Sequence, residues 1–427
     1  MASAAQAQQA GVPAQLALDE AWRLARANNP TLAAERQIVE MAQADRLGAA
    51  LRPNPAITVE SEGYPLFEAP RPAFWNGQEF TLRFDQEIEL AGRRRLRTES
   101  AEAGVVVARA AVADAERRLR LEVQRAYFEA VLAKANRDAA RAALDEITRV
   151  IELSRARVRQ GETSGAELRR LEVERLRFVD DAFNDELAYQ NARSALLALM
   201  GATDLAQLFD VVEPLAAPED LRQRFDVAAA SALPAAVPAP LQTEALTNRA
   251  DLVAARGDVE RLNTETRLQR ALRTPNVTVG GGYRRDLGTN AVVFGVTVPL
   301  PLFNRNQGGV TRAEAERRRA QALAQATEIE VRLDVQRAAN AVAINRARVA
   351  YIEGEYLANA RQSRDIVLAS YRLGAADLID FLDAQRAFRD VQRTYNRALF
   401  EERLSLFALE AAVGGSNVPG RVPQNQE

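Results

Sequence analysis

Asp380 and Asp383 stand three residues apart, a spacing that puts both carboxylates on one face of a helix. Copies of such a helix arranged around an axis would stack these carboxylates into rings, which attract cations and repel anions. Taken alone, the pair fits equally well two solvent-facing acids beside a turn, satisfying helix N-terminal amides. Other kinds of chemistry lack their parts. Histidine and cysteine are both absent, which removes the commonest general base, the commonest transition-metal ligand, disulfides and thiolate sites. The three methionines, Met1, Met41 and Met200, are too scattered for a soft-metal site. There is no phosphate-binding loop and no dinucleotide fingerprint. Gly280-Gly281-Gly282 lies inside an alternating segment, where it serves curvature better than phosphate. Acid pairs recur all along the helices, so pairing carries no weight for acid–base catalysis. The chain reads as a non-enzyme, with no cofactor and no metal site expected.

Composition sets further bounds. With 56 Lys+Arg against 58 Asp+Glu the net charge is −2, so no overall field draws the chain to nucleic acid. Charges of both signs interleave along the helices, as on solvated faces. The first residues, Met-Ala-Ser-Ala-Ala-Gln-Ala, lack a basic and an apolar region. Small residues of this kind surround signal cleavage sites, so residues 1–14 fit a mature N-terminus with the signal peptide removed, and on composition alone they fit the loose tail of a cytosolic protein equally well. No apolar run approaches the roughly 18 residues of a membrane-spanning helix, so any membrane crossing must use strands.

The elements that position the acids come from a duplication. Leu121-Glu122-Val123-Gln124-Arg125-Ala126 matches Leu333-Asp334-Val335-Gln336-Arg337-Ala338, and Arg159-Gln160-Gly161 matches Arg372-Leu373-Gly374. The first repeat covers 15–200, with helices over about 15–50, 92–158 and 166–200 and strands over about 55–63 and 79–90. The second covers 241–414, with helices over about 241–272, 305–371 and 377–412 and strands over about 276–284 and 291–299. An Ala/Pro-rich connector spans 201–240, and a tail spans 415–427. The long helical stretches carry no proline and are rich in good helix formers. Seven-residue spacings such as Leu121/Phe128/Ala135/Ala142 point to coiled-coil packing. Helices of some 65 residues would reach on the order of 100 Å.

Four segments alternate apolar and polar residues. Ile57 and Val59; Phe80, Leu82, Phe84 and Ile88; Val277, Val279 and Tyr283; and Val292, Phe294, Val296 and Val298 form the apolar sides. Their polar sides carry many charges in the first hairpin, and the lengths suit a tilted bilayer span of roughly 9–11 residues. Tyr64, Phe67, Phe74 and Trp75 between the first two strands fit interfacial aromatics. The same alternation would suit a soluble sheet over a core. Membrane barrels close with at least about eight strands, so four strands per chain require several copies. Two, three or four copies all remain open on this count.

Strand pairs followed by paired long helices, repeated twice, resemble the TolC family of outer-membrane factors over nearly the whole chain. The most specific stretches are Pro299-Leu300-Pro301-Leu302-Phe303-Asn304-Arg305-Asn306-Gln307-Gly308, Ile88-Glu89-Leu90-Ala91-Gly92-Arg93-Arg94 and Pro53-Asn54-Pro55, which are similar to the heavy-metal efflux (CzcC-like) branch. The resemblance implies a mainly α chain with a membrane β-barrel. It implies a homotrimer whose twelve-stranded barrel in the outer membrane of a Gram-negative bacterium continues into a periplasmic α-helical barrel. The expected role is the passive exit duct of a tripartite efflux system. Its partners would be outer-membrane lipid, a periplasmic adaptor and an inner-membrane transporter of the resistance-nodulation-division class. By motif, Asp380 and Asp383 line the periplasmic constriction with Glu167 as a further tip acid. The adaptor-contacting turns are Arg159, Gln160, Gly161 and Arg372, Leu373, Gly374. Ala376 stands where a bridging arginine occurs in TolC itself, which puts that latch in doubt. Drug efflux and type I protein secretion are the alternatives within the class, and a soluble coiled-coil scaffold is the alternative outside it.

Overall fold

The computed structural model describes residues 12–63, 67, 70, 73, 78–225, 237–286 and 288–415. In chain order they form β1 (Gln15–Leu16), α1 (Leu18–Asn28), α2 (Pro30–Ala50), β2 (Ala56–Glu62), β3 (Glu79–Ile88), α3 (Arg93–Gln160), α4 (Gly165–Leu199), β4 (Asp210–Val211) and α5 (Glu219–Arg224). The second half follows with α6 (Ala239–Asn248), α7 (Ala250–Ala271), β5 (Val277–Asp286), β6 (Thr289–Thr297), α8 (Gln307–Tyr351), a π-helical turn (Ile352–Leu357), α9 (Ala358–Arg372) and α10 (Leu378–Val413). The residues divide into two compact units. A sheet unit takes Arg36–Ala111 and Asp251–Thr327, and a helical unit takes the rest of the described chain.

In the sheet unit the order is β2-β3-β5-β6, antiparallel throughout. Register decides which side chains share a face. Ile57 lies opposite Phe84 and Val59 opposite Leu82; Tyr283 lies opposite Leu82; Phe294 lies opposite Gly281 and Val296 opposite Val279. All four apolar stripes therefore merge on one face. The β5–β6 ladder extends beyond its apolar residues, because Arg285–Asn290 and Asp286–Thr289 continue the pairing with side chains polar on both faces. The four crossings from sheet to helix are bound to one another. Gln86 donates to the Pro53 carbonyl at 3.0 Å. Arg97 donates to the Ala49 and Leu51 carbonyls and pairs with Glu89 at 2.7 Å. Arg93 donates to the carbonyls of Leu272 and Thr274, and Asn306 to that of Gln269 at 2.8 Å.

In the helical unit, Tyr127, Phe128, Leu196, Leu197 and Phe400 anchor one core, and Ile147, Leu171, Phe178 and Phe381 anchor a second. The stretches expected as single helices over 15–50 and 241–272 are each broken once. Pro30 keeps Asn29 extended (ψ 121), so α1 stops there, while the Asn29 carboxamide accepts from Leu32 N–H at 3.0 Å and starts α2. Arg249 holds the equivalent extended position (ψ 117), its buried guanidinium bound to Asp334 at 3.1 Å and to the Ala412 carbonyl. Residues 305–371 are likewise not one regular helix, since the π turn at Ile352–Leu357 interrupts them. The expected seam residue Ala142 is exposed, and Ala143, Ile147, Val150 and Ser154 are buried instead. A straight helix drifts about 20° per heptad from a strict seven-residue column, so a column begun at Leu121 turns outward by its third heptad.

The connector is not structureless among its described residues. β4 pairs in parallel with β1, and Arg222 of α5 forms a two-pronged ion pair with Glu402 of α10 at 2.9 and 2.8 Å. The Glu402 side chain is only 1% exposed. Removing its partner strands a buried carboxylate, so Arg222→Ala is expected to destabilise the helical unit by about 3 kcal/mol, and Arg222→Ala with Glu402→Leu by much less. Urea midpoints of the two variants check this.

Burial pushes the Tyr127 and Tyr189 phenols up to about 12, Tyr127 donating to the Leu16 carbonyl at 2.7 Å and Tyr189 to Asp210 at 2.7 Å. Below about pH 10 both phenols are protonated in folded and unfolded chain alike. Between about 10 and 12 only the unfolded chain ionises, so stability falls as pH rises through that window, by up to roughly 2–3 kcal/mol per tyrosine. Denaturation midpoints between pH 9 and 12 are expected to fall, and Tyr127→Phe to flatten the slope.

Candidate functional site

Two places stand out, one in each unit. In the sheet unit the merged apolar face is open: Ile57 is 71%, Val292 70% and Phe294 85% exposed. A contiguous apolar patch of this kind marks a surface that meets lipid or protein. The other face is ionic. Arg83 pairs with Asp85 at 2.8 Å and Arg284 with Glu79 at 2.5 Å. Arg83 lies over glycine, its guanidinium within 4 Å of the space a side chain would take at Gly280 and Gly295. Thus the glycines make room for an ion pair and, at Gly282, for the β3 backbone, roles beyond the curvature that the sequence suggests. The outer edges, β2 and β6, have no further strand in the chain among the described residues, which hydrocarbon does not tolerate unless another chain supplies one. Among the described residues no helix is long and apolar enough to cross a membrane. Phe67 is 98% exposed, while Tyr64, Phe74 and Trp75 lie outside the described residues.

In the helical unit two turns form a matched pair. α3 and α9 both end in the same left-handed glycine cap, with φ 77° at Gly161 and at Gly374. At the first, Gly161 N–H bonds to the Val158 carbonyl and Glu162 N–H to that of Arg157; at the second, Gly374 bonds to Tyr371 and Ala375 to Ser370. This double bond pattern needs a residue at positive φ, which glycine adopts without strain. Arg159, Gln160, Gly161, Arg372, Leu373 and Gly374 all lie on these turns, and all six are exposed. The offset between repeats is 374 − 161 = 213 here, so Glu167 of α4 and Asp380 of α10 are equivalent positions.

Their surroundings differ. Glu167 accepts from the Tyr371 hydroxyl at 2.9 Å and from Thr163 at 2.5 Å. Asp380 is exposed and has no hydrogen bond or ion pair among the described residues. Asp383 is also exposed and lies 3.4 Å from Arg386, which is itself held at 2.6 Å by Glu174. Glu167 is therefore engaged within the chain, whereas the Asp380 and Asp383 carboxylates are open to solvent. Sequence reasoning missed Tyr371 and Arg157. Tyr371 stacks on Phe381 at 5.4 Å and hydrogen-bonds Ser154 at 3.1 Å, and burial raises its phenol pKa. Arg157 donates to the Tyr371 and Arg372 carbonyls at the end of α9, a favourable place for a cation. The signal that could have found Tyr371 is the repeat: at the offset of 213 it faces Val158, an aromatic with a hydroxyl against an aliphatic. A groove of about 580 Å³ lined by Arg157, Glu162, Glu167, Arg170 and Asp377 runs between the turns. Among the described residues no three acids converge to hold a metal ion.

On α4, Val173, Leu176, Phe183 and Leu187 are 59–73% exposed at spacings of a helical stripe, with nothing among the described residues to cover them.

The sequence profile of the outer membrane efflux proteins matches residues 21–202 and 241–415. The chain is 26% identical over 382 residues to the cobalt-zinc-cadmium resistance protein CzcC of Cupriavidus metallidurans, covering 89% of this chain and 85% of that one. Its fold is similar to that of CusC (TM-score 0.75, 19% identity, 93% and 92% of the two chains). It is also similar to the outer membrane protein VceC of Vibrio cholerae (TM-score 0.74, 23% identity, 93% and 96%). The open-state MtrE outer membrane channel of Neisseria gonorrhoeae gives a TM-score of 0.75 at 20% identity, over 93% and 89%.

Proposed function

The chain belongs to the outer membrane efflux protein family, and from this premise we propose that it is the passive outer-membrane exit duct of a tripartite pump for divalent metal cations. The observation that carries the reading is the sheet: one exposed apolar face, one ionic face and two unpaired edges, a combination stable only in a closed barrel shared with other copies. Three copies would supply twelve strands, with the open α4 stripe packing against the neighbouring copy. The metal assignment rests on the resemblance to a cobalt-zinc-cadmium resistance protein and agrees with the exposed carboxylates at Asp380 and Asp383. Absence of histidine and cysteine is no obstacle, because a wide wet duct conducts its cargo without binding it. A periplasmic adaptor would engage the Gly161 and Gly374 turns, and an inner-membrane transporter of the resistance-nodulation-division class would supply the energy.

Deletion of the gene should sensitise its host to cobalt, zinc or cadmium and leave drug tolerance unchanged; the reverse pattern would assign the duct to drug efflux. Cross-linking in membranes is expected to trap a trimer.

At the paired turns Tyr371 stands in for the absent arginine at Ala376. Tyr371→Phe removes the hydroxyl from Glu167 and Ser154 at a cost of roughly 1 kcal/mol per copy. Single-channel records of the variant are expected to show a higher open probability with unchanged unit conductance at full opening.

A further inference from the structure

The apolar stripe of β6 does not stop where the ladder stops. Val292, Phe294 and Val296 lie on the apolar face, and the same every-second-residue spacing continues past Thr297 through Val298, Leu300 and Leu302. Leu300 is 74%, Leu302 64% and the adjacent Phe303 92% exposed. Pro299 and Pro301 stiffen this extension, and the Arg305 side chain, bound to the Pro301 carbonyl at 3.3 Å, braces it. A stretch this apolar and this open has no counterpart at the other three crossings from sheet to helix.

The second observation is one of charge. Each of the four crossings carries at least one exposed arginine, and at each one of them stands apart from any described carboxylate: Arg52 between α2 and β2, Arg94 at the start of α3, Arg273 between α7 and β5, and Arg305 between β6 and α8. None of the four has a carboxylate partner among the described residues, although arginines nearby do, as Arg97 with Glu89 and Arg95 with Glu99. Strand pairing places all four crossings at the same end of the sheet.

We infer that this end of the sheet is a membrane-interface collar, in which Leu300, Leu302 and Phe303 enter the lipid at headgroup depth and the four arginines hold anionic phospholipid phosphates. The inference rests on the barrel reading above. Continuity favours lipid as the occupant: the exposed residues prolong the stripe whose upper part faces hydrocarbon in that reading. Unpaired arginines just beyond it suit phosphate, whereas an apolar protein neighbour would leave them unsatisfied. Arginine near an anionic surface raises affinity about fivefold per residue.

The test uses the assembled channel in vesicles, with Trp22 and Trp75 replaced by Phe to clear the background. A single indole is then introduced by Phe294→Trp, as a probe of the stripe, or by Phe303→Trp, as a probe of the collar. Both positions are exposed, so an aromatic swap leaves packing intact. Lipids brominated near the headgroup are expected to quench the collar probe most, and lipids brominated deep in the chain to quench the stripe probe most. Brominated phosphatidylglycerol should quench the collar probe several-fold better than brominated phosphatidylcholine. That preference should vanish when Arg52, Arg94, Arg273 and Arg305 are all changed to Gln. Quenching of the stripe probe with none of the collar probe would overturn the collar and leave the barrel standing. A blue-shifted, unquenched collar probe would assign the segment to a neighbouring copy. Equal quenching by both lipids would remove the arginines from the proposal. No quenching at either position would sink the barrel reading itself.

Discussion

Gly282→Val is expected to abolish assembly of the sheet unit into a folded oligomer, while Gly281→Ala is tolerated. A Cβ at Gly282 would stand 2.2 Å from the Leu82 carbonyl oxygen and 2.9 Å from the Arg83 Cα. Both atoms belong to the β3 backbone, which pairs with β2 on one side and β5 on the other and cannot retreat. The collision is one of approach, because Gly282 does not adopt a left-handed φ. At Gly281 the added Cβ would meet a ring carbon of Phe294 at 3.3 Å, and that ring is exposed and free to turn. Overpacking by a methylene or two costs about 1–3 kcal/mol where side chains can adjust, and more where backbone must move. Refolding into detergent followed by unheated gel electrophoresis reads the outcome. An oligomer band for Gly282→Val equal to the parent's would remove the close-approach account of the glycine run.

The same glycine run marks what is and is not legible in the sequence. Alternation identifies all four strands and the side of each that is apolar, because a strand shows its two faces directly in the order of residues. The partner of each residue depends on register, which alternation fixes only to an even number of residues. Hence the role of Gly282 under Leu82 cannot be read, nor the bed that Gly280 and Gly295 make for Arg83. The helices behave in the same way. Their length and repeat are plain from composition, but the seven-residue spacing puts Ala142 at a seam that the structure gives to Ala143, since a small error in period accumulates over three heptads. At the paired turns, glycine positions are legible from the repeat alone. The pairing of Tyr371 with Glu167 is not, because the two are 204 residues apart and the repeat, which sets Tyr371 against Val158, marks the position without naming its partner. The breaks at Asn29 and Arg249 divide the same way. Pro30 announces the first, and nothing in the local sequence announces the second, which rests on the distant partner Asp334.

Asp380→Asn with Asp383→Asn is expected to lower the cation-to-anion permeability ratio of the reconstituted channel about tenfold. The repeat makes the argument specific. Glu167 and Asp380 occupy equivalent positions after equivalent glycine caps, yet Glu167 accepts two hydroxyl hydrogen bonds and Asp380 accepts none among the described residues. A carboxylate turned into the chain to accept from a tyrosine and a threonine keeps its charge but is less accessible to passing ions than one open to water. In the proposed trimer, three such open carboxylates each about 5 Å from the axis would attract a monovalent cation by roughly 2 kcal/mol in a watery lumen. Asp383 adds less, because Arg386 at 3.4 Å partly neutralises it, so Asp380→Asn alone should produce most of the change. Glu167→Gln is the internal contrast. It weakens the bond to Tyr371, so it should alter opening and leave the permeability ratio where it was. Reversal potentials across a salt gradient separate the two effects, since they report selectivity independently of how often the channel opens. If the double aspartate variant keeps the parent's reversal potential, the selectivity ring lies elsewhere and the exposed carboxylates of α10 are ordinary solvated acids beside a turn.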